Sequence, residues 1–296
     1  MTLEQLRIFL AVADRLHVTR AAEALNLTQS AVSASISALE NRHDIKLFDR
    51  VGRRIILTEA GDALVPEARR LLARAEAVEM VLEDFAQNTR GRLRLYASQT
   101  VANYWLPQRM VTLHRQHPGI ELDLRVGNTA QVAQSVEDGD ADLGLIEGEV
   151  TQGELHRQVV ARDSLVLVMA HSHPWSALRE IPVTDYATQS WVLRESGSGT
   201  RSEFEKVLVK AGLTIADLKI SLELPSNEAV LAAVAAGESL SVMSRRAAVA
   251  SGKATHMVDV PGGERPFAVL THPKRYRTRA VSAMIEILSA PQRRDE

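Results

Sequence analysis

Apolar residues step through the first sixty positions with helical spacing. Leu3, Leu6, Phe9, Leu10 and Ala13 fall on one face of a first helix. Thr19 is placed to cap a second, TRAAEAL, closing at Asn26, and two residues later Thr28 is placed to cap a third, TQSAVSASISALENR. Ala22, Leu25, Leu27, Val32 and Ile36 supply the apolar positions of this helix, tight turn, helix pattern, with small Ala22 where two helices cross steeply. IKLFDRVGRRIILT then reads as two short β-prone runs joined around Val51-Gly52-Arg53. From Thr58 to about Gln87 the pattern is one long helix. Leu64, Ala68, Leu71, Ala75, Val78, Leu82 and Phe85 step alternately by four and three, a heptad seam that predicts a coiled coil with the same helix of a second copy. Packing of this helix on its own domain is the alternative. Pro66 is expected to bend it.

After Asn88-Thr89-Arg90-Gly91 the pattern changes to alternating strands and helices. LRLYA, IELDLRV, DLGLI, SLVLVMA, WVLR, ISLEL, LSVMS and FAVLT read as strands; QTVANYWLPQRMVTLHRQH, TAQVAQSVEDG, TRSEFEKVLVKAG and NEAVLAAVAAG read as helices. Such alternation predicts βαβ units on mostly parallel sheets, here two α/β lobes, with ligands beyond the strand ends. The terminal APQRRDE reads as a frayed tail.

At 296 residues the chain is long enough for two domains. A net charge of -2 means that any nucleic-acid role rests on a local basic face. Zero cysteines exclude disulfides, thiolate catalysis and zinc fingers, and fit a reducing compartment. The first sixteen residues carry charges through their apolar face, unlike a signal peptide, and no stretch of about 18 uncharged apolar residues occurs. The expected location is cytoplasmic.

The third helix is informative for what it exposes. Its start presents Thr28, Gln29, Ser30, Ser33, Ser35 and Ser37 around Val32 and Ile36, short hydrogen-bonding side chains rather than the Lys and Glu of a solvated helix. A helix fits the major groove, its first turn donates to phosphate, and Gln can bond an adenine edge twice. Arg50, Arg53 and Arg54 cluster in the adjacent hairpin, where phosphate contacts set position.

Two further segments put hydroxyls at helix starts. Ser98-Gln99-Thr100 follows a strand, and Ser196-Gly197-Ser198-Gly199-Thr200-Arg201 follows another. Glycine allows close approach, hydroxyls and amides donate, and the helix dipole favours an anion. For the second segment, an ordinary turn capped by Thr200 is the alternative. Tyr104, Trp105 and Trp191 read as core rather than cleft wall. G-x-G-x-x-G, G-x-x-x-x-G-K-[ST], G-x-S-x-G and H-E-x-x-H are all missing, so the common enzyme signatures are lacking. His171-Ser172-His173 has no third partner in the pattern to make a zinc site. Neither a metal nor a cofactor is expected, and no enzymatic activity.

AAEALNLTQSAVSASISALE, followed at a fixed distance by KLFDRVGRRIILTEAG and then by LRLYAS, DADLGLIEG and LRESGSGTR, resembles LysR-type transcriptional regulators over the whole length. The resemblance implies a winged helix-turn-helix over 1–58, a dimerising linker helix over 59–90 and an inducer-binding domain over 91–296. That domain would comprise two Rossmann-like lobes of the periplasmic-binding-protein type, about 91–162 with 268–296, and 163–267. It further implies promoter DNA as partner, a dimer of dimers, and contact with RNA polymerase as an option. Many relatives carry a basic residue where Ala34 follows Val32-Ser33. Asn128, Thr129, Glu147, Asn227 and Glu228 lie where relatives line the interlobe cleft. A carboxylate there repels a small anion unless protonated or paired, with Arg194 or Arg201 as the available cations; otherwise Glu147 closes the lobes or binds a cationic group. The wording of ASQTVANYWLP and LRESGSGTR is similar to a subgroup that includes regulators of sulfur-anion metabolism and carbon fixation. The implied effector is a small anion, sulfite or another sulfur oxyanion first, with phosphate, small carboxylates and phosphorylated sugars as alternatives. A transport-type solute-binding protein shares the two-lobe pattern and is the competing function.

Overall fold

In the computed structural model, residues 1–52, 54–85, 91–150, 153–252 and 255–290 are described, without the side chains of Met80 and 83–85. Arg53, the linker 88–90, the side chain of Phe85 and the tail after Ala290 lie outside the described residues. The chain forms two compact units, one built on Met1–Leu82 and the other on Glu83–Glu137 and Ala141–Glu296.

The first unit holds α1 (Leu3–Arg15), α2 (Val18–Ala24), α3 (Gln29–His43), a hairpin of β1 (Phe48–Val51) and β2 (Arg54–Leu57), and α4 (Glu59–Phe85). Leu6, Phe9, Val12, Ala22, Val32, Ile36, Leu39 and Leu47 form its core. Leu3 is exposed and Leu10 only partly buried, while Ile8, Ala11 and Val12 join Leu6, Phe9 and Ala13 inside, so the inward face of the first helix is rotated from the one its spacing predicts. Thr28 caps α3 as expected, accepting from the Ala31 amide at 3.2 Å. Thr19 does not cap α2. His17 does, its Nδ1 accepting from Arg20 N at 3.4 Å, which starts the helix one residue before Thr19. The hairpin closes at Gly52, whose φ of +63° suits glycine.

Pro66 lies inside α4, which runs through it. Ala68 and Leu72 of this helix join the first unit's own core, so the near half of the helix satisfies the domain-packing alternative. Farther along, the seam residues Leu71, Val78 and Leu82 are 43%, 53% and 67% exposed. They form an apolar stripe that nothing among the described residues covers.

Glu40 ties α3 to the hairpin. Its carboxylate accepts from Lys46 Nζ and Leu47 N, both at 2.9 Å, and from Phe48 N at 3.3 Å. Burial alone raises its pKa, but the Lys46 bond and the two amides outweigh burial and hold the carboxyl below its ordinary value.

The second unit begins with β3 (Gly91–Ser98), α5 (Gln99–Tyr104) and α6 (Leu106–Gln116). The single helix expected over 99–117 is broken at Trp105, whose backbone leaves the helical region, and Pro107 sits in the first turn of the new helix where no amide is needed. β4 (Ile120–Gly127), α7 (Thr129–Asp138) and β5 (Leu143–Glu147) follow, and then β6 (His156–Met169), β7 (Ser190–Arg194), α8 (Gly199–Lys210) and β8 (Lys219–Leu224). The chain continues with α9 (Asn227–Ala236), β9 (Ser241–Ser244), α10 (Arg245–Ala250), β10 (His256–Thr271) and α11 (Arg279–Ser289). The sequence pattern did not predict α10 or α11, and it undercut β6 and β10.

A six-stranded sheet has the order β4-β3-β5-β10-β6-β9, and β7 pairs in parallel with β8. β3, β4 and β5 are parallel, as expected, but β10 is antiparallel to β5 and β6, and β6 to β9, so the sheet is mixed. The long β6 and β10 are shared by two hydrophobic clusters. One gathers Leu93, Leu95, Trp105, Leu106, Phe267, Val269 and Met284; the other gathers Leu167, Tyr186, Trp191, Leu193, Phe204 and Val258. Trp105 and Trp191 are therefore core, whereas Tyr104 is only partly buried against a neighbouring cluster.

Replacing Leu71 by Glu puts a charge on the uncovered stripe and is expected to yield monomers by light scattering; an unchanged oligomer removes α4 from the interface. Glu40 stays ionised at lower pH when folded than when unfolded. Its contribution is thus complete above its ordinary carboxyl value and is lost as pH falls through the lower folded value. Glu40→Gln should flatten that acid limb at α3 and the hairpin, measured by amide exchange on the full chain, and an unaltered limb contradicts the assignment.

Candidate functional site

Thr28, Gln29, Ser30, Ser33 and Ser37 are exposed at the start and along one side of α3, and Ser35 is half-buried. The Thr28 and Ser30 hydroxyls lie 3.0 Å apart. Val32, Ile36 and Leu39 anchor the opposite side, leaving the polar side available. Arg50 and Arg54 are exposed on the hairpin, Arg50 facing Ile55 and Arg54 facing Val51 across the strand pair, and neither forms an ion pair among the described residues. A hydroxyl-rich helix beside unpaired arginines combines base-edge and phosphate chemistry.

The second unit assembles the other predicted cluster. Ser98, Thr100, Thr129, Glu147, Arg194, Ser198, Thr200 and Asn227 are all buried. The Ser98 hydroxyl donates to Glu147 Oε2, and that of Thr200 to Oε1 at 3.4 Å. Asn227 Nδ2 donates to Thr100 at 3.4 Å, and its amide donates to Gln99 Oε1 at 3.1 Å. Gln99 Nε2 reaches Pro225 O at 3.0 Å, and Asn128 Nδ2 reaches Glu195 at 3.4 Å. The ends of β3, β5, β7 and β8 and the starts of α5, α7, α8 and α9 thus meet in one polar interior. Gly199 is required there, because a Cβ would stand 2.5 Å from Thr129 Oγ1 and 2.6 Å from the Glu147 carbonyl oxygen.

Four expectations need correction. Arg194 is not the cation for Glu147, because it is spent on Glu195 at 2.8 Å and on Asn227 Oδ1 at 2.9 Å. Arg201 is bonded to Glu205, Glu223 and the Arg194 carbonyl. Ser196 is exposed, outside the buried cluster. Glu228 is also exposed and accepts from Tyr104 OH at 2.8 Å and Asn103 at 3.3 Å. Burial raises the Glu228 carboxyl, but its own amide, these two donors and Arg194 outweigh that and lower it; burial and then Glu228 push the Tyr104 hydroxyl up to about 12.

Sequence reading missed the cation that Glu147 faces. Arg265 is fully buried, with Nη1 at 3.0 Å from Thr200 Oγ1 and 4.0 Å from Glu147 Oε1. Its other edge meets Asp163 Oδ2, with Nε at 2.9 Å and Nη2 at 2.8 Å. The signal was available, because extending FAVLT backward by one strand period puts Arg265 on the face of Phe267 and Val269. At the two helix starts, Ser98 and Ser198 stand at the cap positions without bonding their first-turn amides. The Ser198 hydroxyl is buried with no hydrogen-bond partner among the described residues. His173 instead has a structural place, its Nδ1 accepting from Trp175 N at 3.1 Å, and no metal-holding cluster occurs among the described residues.

Residues 3–62 match the family model of the bacterial regulatory helix-turn-helix proteins of the lysR family, and residues 86–291 that of the LysR substrate binding domain. The chain belongs to the LysR family. It is a DNA-binding transcriptional regulator with an effector-binding domain, and the helix-turn-helix match disfavours the transport-type alternative. The regulator is 37% identical to the uncharacterized HTH-type transcriptional regulator YeiE of Escherichia coli K12 over 248 residues, 83% of this chain and 81% of that one. It is 33% identical to the HTH-type transcriptional regulator CysL of Bacillus subtilis, covering 83% and 81%, and 36% identical to the RuBisCO operon transcriptional regulator of Allochromatium vinosum, covering 82% and 80%. Its fold matches full-length CbnR in complex with target DNA, with a TM-score of 0.75 at 20% identity over 98% of this chain and 100% of that one. The regulatory domain of Synechocystis PCC6803 CcmR in complex with 2-PG matches at TM-score 0.62 and 26% identity, covering 68% of this chain and 96% of that one. No helix among the described residues is long and apolar enough to cross a membrane.

Arg265→Ala leaves Asp163 and Glu147 buried without their cation, and is expected to destabilise the second unit by about 3–5 kcal/mol in denaturant melts. A loss under about 1 kcal/mol would show that water replaces the guanidinium.

Proposed function

We propose that the regulator responds to a small oxyanion held at the start of α8 among the hydroxyls of Ser98, Ser198 and Thr200, facing Arg265. The observation that carries this reading is the buried Ser198 hydroxyl without a partner, beside first-turn amides it leaves uncapped. A buried donor in a native fold calls for an acceptor, and a helix start adds partial positive charge. Thr100, Thr129, Asn128, Gln99 and Asn227 surround the same interior and hold it together from both sides.

Glu147 now has a definite part. Its carboxylate takes the donors that an oxyanion needs, so a ligand anion enters by displacing it from Ser98 and Thr200. Sulfite, or another sulfur oxyanion, is the leading occupant, since three oxygens on one small centre suit several convergent donors. CcmR in complex with 2-PG favours a phosphorylated anion as the second reading. DNA reading falls to Gln29, Ser30 and Ser33 on α3 with Thr28 at its cap, and the phosphates to Arg50, Arg54 and Arg53. The exposed stripe on α4 makes the regulator a dimer, and pairs of such dimers make the tetramer.

The test is thermal stability of the purified regulator against sulfite, sulfate, phosphate and 2-PG. An anion at a hundred times its Kd stabilises the native state by about 2.7 kcal/mol. A shift that is lost in the Thr100→Ala/Thr200→Ala double variant supports the site. Glu147→Gln should strengthen binding by about tenfold or more, because it removes a like charge in a poorly solvated interior. Weaker binding in Glu147→Gln makes the carboxylate a ligand contact and rejects the oxyanion.

A further inference from the structure

A second concavity lies outside the polar interior, and none of its lining belongs to the oxyanion cluster. It is an open groove of about 630 Å³ between β6, β10, α10 and the end of α5. Arg162, Arg245 and Arg246 converge on it, with Glu264 on its margin, and Tyr104 and Val249 supply apolar wall. We propose that this groove is a second ligand site of the regulator, for a small organic monoanion with an apolar body.

The charge balance favours an anion. Asp163 also reaches the groove, but its Oδ2 is committed to the fully buried Arg265, and its Oδ1 accepts from Ser244 at 3.0 Å. Arg246 Nε approaches that Oδ1 only to 3.9 Å, which leaves most of its five donors unused. Arg162 forms no hydrogen bond or ion pair among the described residues. Arg245 is oriented by Ser164, its Nε donating at 3.2 Å, and by an ion pair with Asp259. One arginine is therefore pre-positioned, a second is weakly held and a third is unengaged, around a shallow groove whose rim is exposed.

The apolar side selects the ligand's body. Val249 is 61% exposed and the Tyr104 ring is only partly buried, so an alkyl or ring body covers surface that the fold leaves wet. Glu264 repels a second charge, which limits the ligand to one. A bare inorganic oxyanion gains nothing from Val249 and Tyr104, and this separates the groove from the polar interior. Both sites draw on the same buried pair, since Asp163 faces the groove and Arg265 faces Glu147 and Thr200.

Hexanoate is the probe, with 1-hexanol as its neutral counterpart, titrated into the full-length regulator at fixed ionic strength and followed by calorimetry and ligand-observed NMR. Hexanoate should bind and hexanol should not. Arg162→Ala, which removes no side-chain hydrogen bond or ion pair seen among the described residues, should weaken hexanoate by about tenfold or more. Val249→Asp should do the same through repulsion, and Thr200→Ala in the polar interior should leave it unchanged. The site is overturned if hexanoate does not bind at millimolar concentration, if binding ignores both Arg162→Ala and Val249→Asp, or if Thr200→Ala abolishes it, which places hexanoate in the oxyanion interior. The oxyanion reading stands or falls separately, on sulfite or 2-PG binding in the Thr100→Ala/Thr200→Ala variant.

Discussion

The second unit depends on a cation and an anion buried opposite each other where β6 and β10 run side by side. Asp163 and Arg265 are direct cross-strand partners, and both side chains lie on the buried face. Neither can be there alone, because an unpaired charge in such an interior costs several kcal/mol. The guanidinium has a rigid fork with donors left over, and those donors set the chemistry beyond the pair. Thr200 at the start of α8 and Glu147 at the end of β5 both take their places relative to it. One strand pairing thereby fixes the position of a cation in the middle of the polar interior.

The first unit was largely legible, because helices and turns of that kind announce themselves locally. Thr28 caps its helix through its own side chain, and Gly52 marks the hairpin by its conformation. His17 in place of Thr19 was not legible, since an imidazole nitrogen is a less common cap than a hydroxyl one turn of pattern away. In the second unit the hydroxyl helix starts at Ser98 and Thr200 were visible as residue types in sequence. What they bond was not, because the partner of each comes from a strand far along the chain. Arg265 illustrates the limit: a charged residue ahead of an apolar run reads as the run's end, although period two continues through it. α10 was missed because it is only six residues long and rests on β6 and β9, whereas α11 was legible in its Thr278 cap and in the helical spacing of Val281, Met284, Ile285 and Leu288 and was overlooked.

The polar interior reconciles two features that conflict on sequence alone, an anion-favouring pair of helix starts and a carboxylate among them. In the fold, Glu147 is the anion that those starts and Arg265 neutralise, and the hydroxyls of Ser98 and Thr200 are its donors. Charge is already balanced without a ligand. In the proposed reading, an arriving oxyanion adds a negative charge beside Glu147, so it binds well only if the carboxylate withdraws.

Such an exchange suits a switch. A ligand shifts a conformational equilibrium only by the difference in its affinity for the two states, and a tenfold difference corresponds to about 1.4 kcal/mol. Among the other links across the interior, those from Gln99 to Pro225 and from Asn227 to Thr100 are neutral and contribute modestly, while Arg194 bonds both Glu195 and Asn227. A rigid salt-bridge clamp at those places would hold a single state whatever the ligand did. The strongest buried pairing, of Asp163 with Arg265, lies within one strand pair, whereas the neutral bonds from Gln99 to Pro225 and from Asn227 to Thr100 join segments far apart in the chain.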